Sequence, residues 1–155
     1  MADIGREAVY AAEIAAFEGT RHETIVAFDE LIEMAAVITS AQWWPHGEIE
    51  VVPARADASS SSTRQAGGAR PVVRLAAPQM TPATLVHEFA HVLAGVSAGH
   101  GAVFRRAHVD LVGYVFGDEP ATWLLDGYAA MGLEPGTRAW SAPPIRWVTG
   151  GPVAL

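Results

Sequence analysis

The stretch TPATLVHEFAHVLAG, residues 81–95, predicts an α-helix with both of its ends marked. Thr81 is a preferred N-cap residue, and Pro82 suits the first turn because the amide that proline lacks would have no partner there. Gly95 is a residue commonly found just past the end of a helix. Between these limits apolar side chains recur at helical spacing, so we expect one face of the helix to pack against the core.

The same helix carries two histidines and a glutamate in the pattern H-E-x-x-H. His87 and His91 are four residues apart, so both imidazoles project from one face and can chelate one metal ion. Glu88 lies beside them, where its carboxylate is free to act as general base toward a metal-activated water. The pattern therefore predicts a metal site with its own base. The alternative is a buried helix whose histidines are satisfied by hydrogen bonds.

A metal ion held by two histidines needs a third protein ligand, and His100 and Glu119 are the main candidates. His100 is favoured because glycines flank it in a turn that could bring it back under the helix. Glu119, on a later helix, would instead complete a site of two histidines and one glutamate. His108 and Asp110 are weaker options. The chain has no cysteine, which excludes thiolate ligands, and imidazole ligands favour Zn²⁺.

The rest of the chain combines helical patterns with one short β region. Further helices are predicted over 5–18, 27–42, 102–116 and 118–132. Strands are predicted over 48–54 and 71–78, with Pro53 indicating an edge or an end. The predicted fold class is therefore α+β, mostly helical, with a small antiparallel sheet (a β-hairpin) beside the metal-binding helix.

The sequence predicts a single domain over residues 1–138 and an irregular tail, rich in proline and glycine, over 139–155. Trp140 and Trp147 are expected to pack part of this tail against the domain. Residues 55–70, RADASSSSTRQAGGAR, are almost free of large apolar side chains and are predicted to form a flexible loop. Its serine-rich part is interpreted either as a lid over the active-site cleft or as a tolerated insertion.

Composition excludes several classes of function. The formal net charge is −7 and all ten basic residues are arginines without a basic block, so we expect no nucleic acid partner. No apolar run is long enough for a membrane span, and the first residues lack the pattern of a signal peptide. A cytoplasmic location is therefore expected.

The metal motif and the residues after it resemble a known group of proteases. HEFAH followed by His100, Gly101 and Phe104 is similar to the H-E-x-x-H…H-G-x-x-F/W arrangement of the SprT-like and Spartan/Wss1-type minimal zinc metalloproteases. The resemblance implies a minimal zincin-like fold with His100 as the third zinc ligand. Ala102 stands where those proteins usually have proline, and the absence of cysteine means that no zinc ribbon follows.

A second resemblance covers most of the chain. AVYAAE at 8–13 and the segment 115–133 are similar to parts of the short metallohydrolases of actinobacteria and their phages. That resemblance implies metal-dependent hydrolysis without naming a substrate. It also places Tyr128 on a helix returning toward the site, which favours Tyr128 for stabilising an oxyanion. The other candidates are Tyr114, His108 and the pair Arg105 and Arg106. The alternative for Tyr128 is a tyrosine packed in the core.

Together these features predict a zinc-dependent hydrolase, preferably a metallopeptidase, with Glu88 as general base. A peptide or protein substrate would add a strand to the sheet at the predicted edge strand 71–77. Two alternatives remain: a non-catalytic binding or structural protein in which the metal only joins helices, and a metallohydrolase of a non-peptide substrate. Neither a membrane nor an oligomeric state is indicated by the sequence.

Overall fold

The computed structural model of the chain describes residue 3 and residues 5–144; Trp147 and its predicted packing lie outside the described residues. The α-helices of this part are α1 (Arg6–Phe17), α2 (Phe28–Thr39), α3 (Pro82–Ala94), α4 (Ala102–Val115) and α5 (Asp118–Ala130). The strands are β1 (Glu50–Pro53), β2 (Ser62–Arg64) and β3 (Val72–Leu75). The predicted α+β class is confirmed. Within the described residues, no helix has the length and apolar character needed to span a membrane.

Helix α3 lies at the centre of the molecule, with both ends as predicted. The Thr81 hydroxyl accepts a hydrogen bond from the N–H of Thr84, and Gly95 ends the helix at φ +96°. α3 packs against α4 on one side and contacts α2, β2 and β3 on others. Because most of its side chains are buried, including those of His87 and Glu88, the metal motif is held on a rigid element.

The sheet is not the predicted antiparallel hairpin. Its three strands are ordered β1-β3-β2, with β1 parallel and β2 antiparallel to β3. A parallel pair needs a long crossover connection, and residues 54–71 provide it. The central strand is thus β3, so the prediction that 71–77 forms an edge strand open to a substrate is wrong. The two edge strands are β1 and β2. Pro53, which was expected to indicate an edge or an end, lies in β1.

Strand β2 lies inside the segment predicted to be a loop. Its residues, Ser62–Arg64, include no large apolar side chain, so periodicity gave no signal for a strand. Polar contacts hold the segment in place: the Ser61 hydroxyl accepts from the N–H of Ala76 at 2.9 Å, and the N–H of Ser61 donates to Oε1 of Gln79 at 2.6 Å. Residues 55–70 are therefore not a loop throughout.

The core lies between α3 and the three helices α1, α4 and α5. Phe17, Phe89 and Phe104 are fully buried in it. α1 and α5 approach closely at Gly127, where a Cβ would lie 2.9 Å from the carbonyl oxygen of Ala12. The tryptophans at 43 and 44 are also buried in the core.

The chain after α5 returns along α4. Arg105 donates to the carbonyl oxygen of Glu134 at 2.9 Å, and Arg106 donates to that of Gly136 at 2.7 Å. These two arginines therefore fasten the C-terminal segment.

Candidate metal centre

Three histidine side chains direct their Nε2 atoms toward one another on one face of α3. His87 and His91 belong to consecutive turns of α3, and His100 belongs to the turn between α3 and α4. Nε2 of His100 lies 3.2 Å from Nε2 of His87 and 3.2 Å from Nε2 of His91. The three side chains could hold a metal ion. The structure thus places the favoured third ligand next to the two histidines of the motif.

Local backbone structure fixes the position of His100. Gly99 adopts φ +60° immediately before it, a conformation that favours glycine. Gly5 packs so closely that a Cβ there would overlap the carbonyl oxygen of His100. The same oxygen accepts a hydrogen bond from Arg105 at 3.1 Å. The turn is therefore held from both sides, by the N-terminal segment and by α4.

Carboxylates contact the other ring nitrogen of two of these histidines. Nδ1 of His87 lies 2.8 Å from Oε1 of Glu13 on α1, and Nδ1 of His100 contacts Oδ2 of Asp3. When Nδ1 donates its N–H to a carboxylate, Nε2 of the neutral imidazole carries a free lone pair. Such contacts fix the tautomer and the orientation of metal-ligating histidines. Sequence analysis did not identify either carboxylate.

A tetrahedral metal ion fits the point on which the three nitrogens converge. Nε2 of His100 has one lone pair but faces two other nitrogens at the same distance, so hydrogen bonding alone cannot satisfy all three. An ion with bonds of about 2.0–2.1 Å to each nitrogen would hold them about 3.3 Å apart. That spacing is close to the 3.2 Å of the structure.

Electrostatics favours a cation at this position. Burial and the neighbouring histidines lower the pKa of His91 to about 3, which keeps its lone pair available at neutral pH. Burial also lowers the pKa of His100, against the opposing effect of Asp3. At His87 burial acts the same way, but Glu13 outweighs it and the pKa is raised. Glu13 thus stabilises a positive charge here, which a proton or a metal ion can supply.

One side of the centre is open. Among the described residues, no fourth histidine, aspartate or glutamate joins the three nitrogens in the same group. Glu119, the alternative third ligand, lines a different cleft together with Trp123. Asp110, a weaker option, instead accepts two hydrogen bonds from Arg138. The open side faces a cleft that His91 lines together with the other two histidines.

Glu88 lies beside the centre, and strand β2 fixes its carboxylate. The hydroxyl of Thr63 donates a 2.7 Å hydrogen bond to Oε1 of Glu88 and lies 3.1 Å from its main-chain oxygen. Burial raises the pKa of Glu88, although His87 and this hydrogen bond oppose the shift. A carboxylate with a raised pKa is suited to accept and return a proton.

Tyr128 is not placed where its predicted role requires it. Its side chain is fully buried, and its hydroxyl lies 2.6 Å from Nδ1 of His108 beneath the three histidines. Burial raises its pKa, and it lines neither compartment of the cleft next to Glu88. The geometry therefore contradicts a role for Tyr128 in oxyanion stabilisation and agrees with the alternative of a core tyrosine.

His108 belongs to a buried network under the centre. Its Nε2 atom lies 3.7 Å from Oε2 of Glu13 and has no hydrogen-bond partner among the described residues. Glu13, His87 and His108 form a second group that could hold a metal ion. However, Glu13 already contacts Nδ1 of His87, and burial lowers the pKa of His108 to about 3. We interpret this group as support for His87.

A groove runs past the centre between α1 and the segment that contains β2. It has two compartments, both lined by Arg6, Tyr10, Ser61, His87 and Glu88. The first, here called the histidine compartment, has a volume of about 270 Å³ and is also lined by His91 and His100. The second, the distal compartment, has a volume of about 370 Å³ and is also lined by Ile14, Glu23 and Ile25. The two compartments meet at the predicted general base.

Tyr10 is the tyrosine that faces this groove. Its side chain is 40% exposed, and its ring stacks on that of His87 with 5.6 Å between centroids. The His100 ring is oriented edge-on to Tyr10, also with 5.6 Å between the ring centroids. The guanidinium of Arg6 lies 5.6 Å from the centroid of the Tyr10 ring. Tyr10 lies in the stretch AVYAAE, but nothing in the sequence pattern indicated a role for it.

Comparisons with family models, with curated proteins and with solved structures found no match to this chain. The resemblance of the motif to SprT-like proteases therefore stays a prediction. The function has to be inferred from the geometry of the centre and its groove.

Proposed function

We propose that the protein is a zinc-dependent hydrolase, and specifically a metallopeptidase. The observation that carries this proposal is the convergence of three imidazole nitrogens, with that of His100 3.2 Å from each of the other two, on a point open to a groove that Glu88 also lines. A structural zinc site is closed by four protein ligands, whereas a catalytic one keeps a position free. The three candidate ligands among the described residues would leave one position of a tetrahedral ion free, which supports a catalytic rather than a structural site.

Each residue of the centre has a defined task. His87, His91 and His100 would hold the zinc ion, while Glu13 and Asp3 orient two of them. The zinc ion supplies Lewis-acid chemistry, which activates water and polarises a carbonyl. Glu88 would accept the proton of the attacking water and pass it to the leaving amine.

The groove suits an extended peptide. Edge strand β2 borders the histidine compartment through Ser62 and Thr63, and residues 60 and 61, directly before it, line the distal compartment. No described strand pairs with the second edge of β2. A substrate chain can therefore add to β2 by main-chain hydrogen bonds. This replaces 71–77 as the proposed pairing strand and brings the substrate directly past Glu88.

Metal analysis combined with a cleavage assay tests the proposal. We expect about one zinc ion per purified chain, and cleavage of fluorescently labelled casein that a chelator abolishes and added Zn²⁺ restores. The chelator should act because three side-chain ligands hold the ion at an open site. Absence of stoichiometric metal, or cleavage that persists after complete metal removal, would contradict the proposal.

Tyr10→Phe is expected to lower kcat by about 100-fold with little change in KM or zinc content. In this proposal Tyr10, which lines both compartments, takes the role of oxyanion donor. The variant removes its hydroxyl but keeps the ring that stacks on His87. A loss of this size is typical when one donor to a developing oxyanion is removed.

Tyr128→Phe is the matched control for that measurement. It removes a buried hydroxyl bonded to His108, so it should lower stability by about 1–2 kcal/mol while kcat stays within a few-fold of wild type. The reverse result, with kcat lost in Tyr128→Phe and retained in Tyr10→Phe, would restore Tyr128 as the oxyanion donor.

A further inference from the structure

The distal compartment continues the groove along α1, away from the three histidines. It is lined by His87 and Glu88 at one end and by Glu23 and Ile25 at the other. A substrate side chain next to the reacting bond would therefore enter it. Its volume of about 370 Å³ is within the range of sites that bind small molecules, so a long side chain can be accommodated.

Two isoleucines form apolar walls in this compartment. Ile14 on α1 is 57% exposed and Ile25, after the following turn, is 58% exposed. Both line the distal compartment and neither lines the histidine compartment. They offer an apolar surface on which the methylene groups of a substrate side chain can pack.

Glu23 supplies a carboxylate without a partner in the same compartment. Its side chain forms no hydrogen bond or ion pair with any described residue; only its main-chain N–H is engaged, by the carbonyl oxygen of Thr20. The side chain is exposed toward the groove, but partial desolvation, together with the like charges of Glu13 and Glu18, raises its pKa. A cation placed here would relieve this unfavourable environment.

We propose that the distal compartment binds a lysine or arginine side chain of the substrate, with its methylene groups between Ile14 and Ile25 and its charge at Glu23. This inference rests on the proposed function and names the substrate class of that site. An aliphatic stem with a cationic end matches a pocket that has apolar walls and, besides the partnered Glu13 and Glu88, an unpaired carboxylate at Glu23. An acidic side chain would meet repulsion from Glu23, and a purely apolar one would leave this carboxylate unpaired and further desolvated.

The positively charged side chain that the protein contributes to this groove, Arg6, lies toward its other end. Arg6 also lines the distal compartment, but its guanidinium is over the ring of Tyr10. Ile14 is eight residues further along the same helix, a distance of about 12 Å along its axis. The electrostatic potential at the end of the compartment formed by the two isoleucines is therefore set mainly by Glu23.

Strand direction assigns the basic residue to one side of the scissile bond. Ser60, before β2, lines the distal compartment, whereas Thr63 lines the histidine compartment. A substrate strand antiparallel to β2 then runs from the histidine compartment to the distal one. Antiparallel pairing is the more stable and more common arrangement, so the basic residue would follow the scissile bond directly.

A binding experiment with the Glu88→Gln protein tests the pocket without turnover. Three peptides that differ only in one residue, arginine, norleucine or glutamate, are measured against this variant and against the double variant that also carries Glu23→Gln. We expect the arginine peptide to bind about tenfold more tightly than the norleucine peptide, as for a charge-assisted contact, and Glu23→Gln to remove that difference. Adding Glu18→Gln to Glu88→Gln is the matched control, because Glu18 carries a nearby charge but does not line the groove; it should keep the preference.

The outcomes separate this inference from the proposed function. Equal binding of the three peptides, tighter binding of norleucine, no measurable binding, or a preference that survives Glu23→Gln would each overturn the basic-residue pocket. Turnover is measured separately, with the zinc-loaded protein and the arginine peptide. Selective binding without zinc-dependent cleavage would contradict the peptidase proposal alone, and cleavage without a basic preference would contradict the pocket alone.

Discussion

Replacing Glu88 with glutamine is expected to lower kcat by about 1000-fold while zinc remains bound. The glutamine side chain has almost the same shape as glutamate but cannot take a proton from water, and general base catalysis contributes about 10²–10⁴-fold to rate. Thr63, whose hydroxyl donates to Oε1 of Glu88, can still contact the amide oxygen of the glutamine. The variant should therefore fold and keep its groove.

Kinetics and metal analysis of the same preparation check this result. The zinc content and KM should match those of wild type, which would localise the loss to the chemical step. Glu7→Gln, an exposed carboxylate in the first turn of α1, is the matched control and should leave kcat unchanged. If Glu88→Gln retained full activity with zinc bound, Glu88 could not be the general base.

The histidine motif could be predicted from sequence because its signals are local. Thr81 and Gly95 mark the ends of α3, and the spacing of His87 and His91 places them on one helix face. His100 could be favoured because glycines flank it in the turn. In the structure Gly99 adopts a positive φ next to it. These features depend on neighbouring residues, so the chain itself encodes them in a short stretch.

The partners of that motif could not be predicted because distant segments bring them together. Asp3 meets His100 across 97 positions, and Thr63 meets Glu88 across 25. No pattern near Asp3 or Thr63 indicates such a contact. Glu13 did carry a signal, since it lies on the same buried face of α1 as Val9 and Ala16, and a charge among apolar positions usually has a partner.

Two of the wrong predictions, the loop over 55–70 and the role of Tyr128, have the same physical cause. Strand β2 forms because β3 offers an unpaired edge and because Ser61 and Gln79 hold its approach, so its own residues needed no β pattern. Tyr128 and Tyr10 are the same residue type on helices that both pack near His87. Tertiary packing alone decides that Tyr10 faces the groove and that Tyr128 is buried.

His100→Ala is expected to lower zinc affinity by more than 100-fold and to abolish zinc-dependent cleavage. The change removes one of three nitrogens that converge on the ion, which leaves only the chelate pair of α3. His100 is a better choice than His87 for this test. Removing His87 would leave Glu13, which is buried, without its hydrogen-bond partner, at a cost of about 3–5 kcal/mol in unfolding free energy. Asp3, by contrast, is at the surface and can be solvated when His100 is lost.

Asp3→Asn separates ligation from orientation at the same histidine. The asparagine can offer Nδ1 of His100 only a neutral amide oxygen in place of a carboxylate, so the ring keeps its lone pair at Nε2 but its direction is held more weakly. Zinc affinity should then fall by about 10–100-fold, less than in His100→Ala, with the folded structure retained. Titration of wild type and both variants with a competing zinc chelator measures the three zinc affinities and so their order. Equal affinities for wild type and His100→Ala would show that His100 is not a ligand. A larger loss in Asp3→Asn than in His100→Ala would mean that the carboxylate, and not the imidazole, binds the ion.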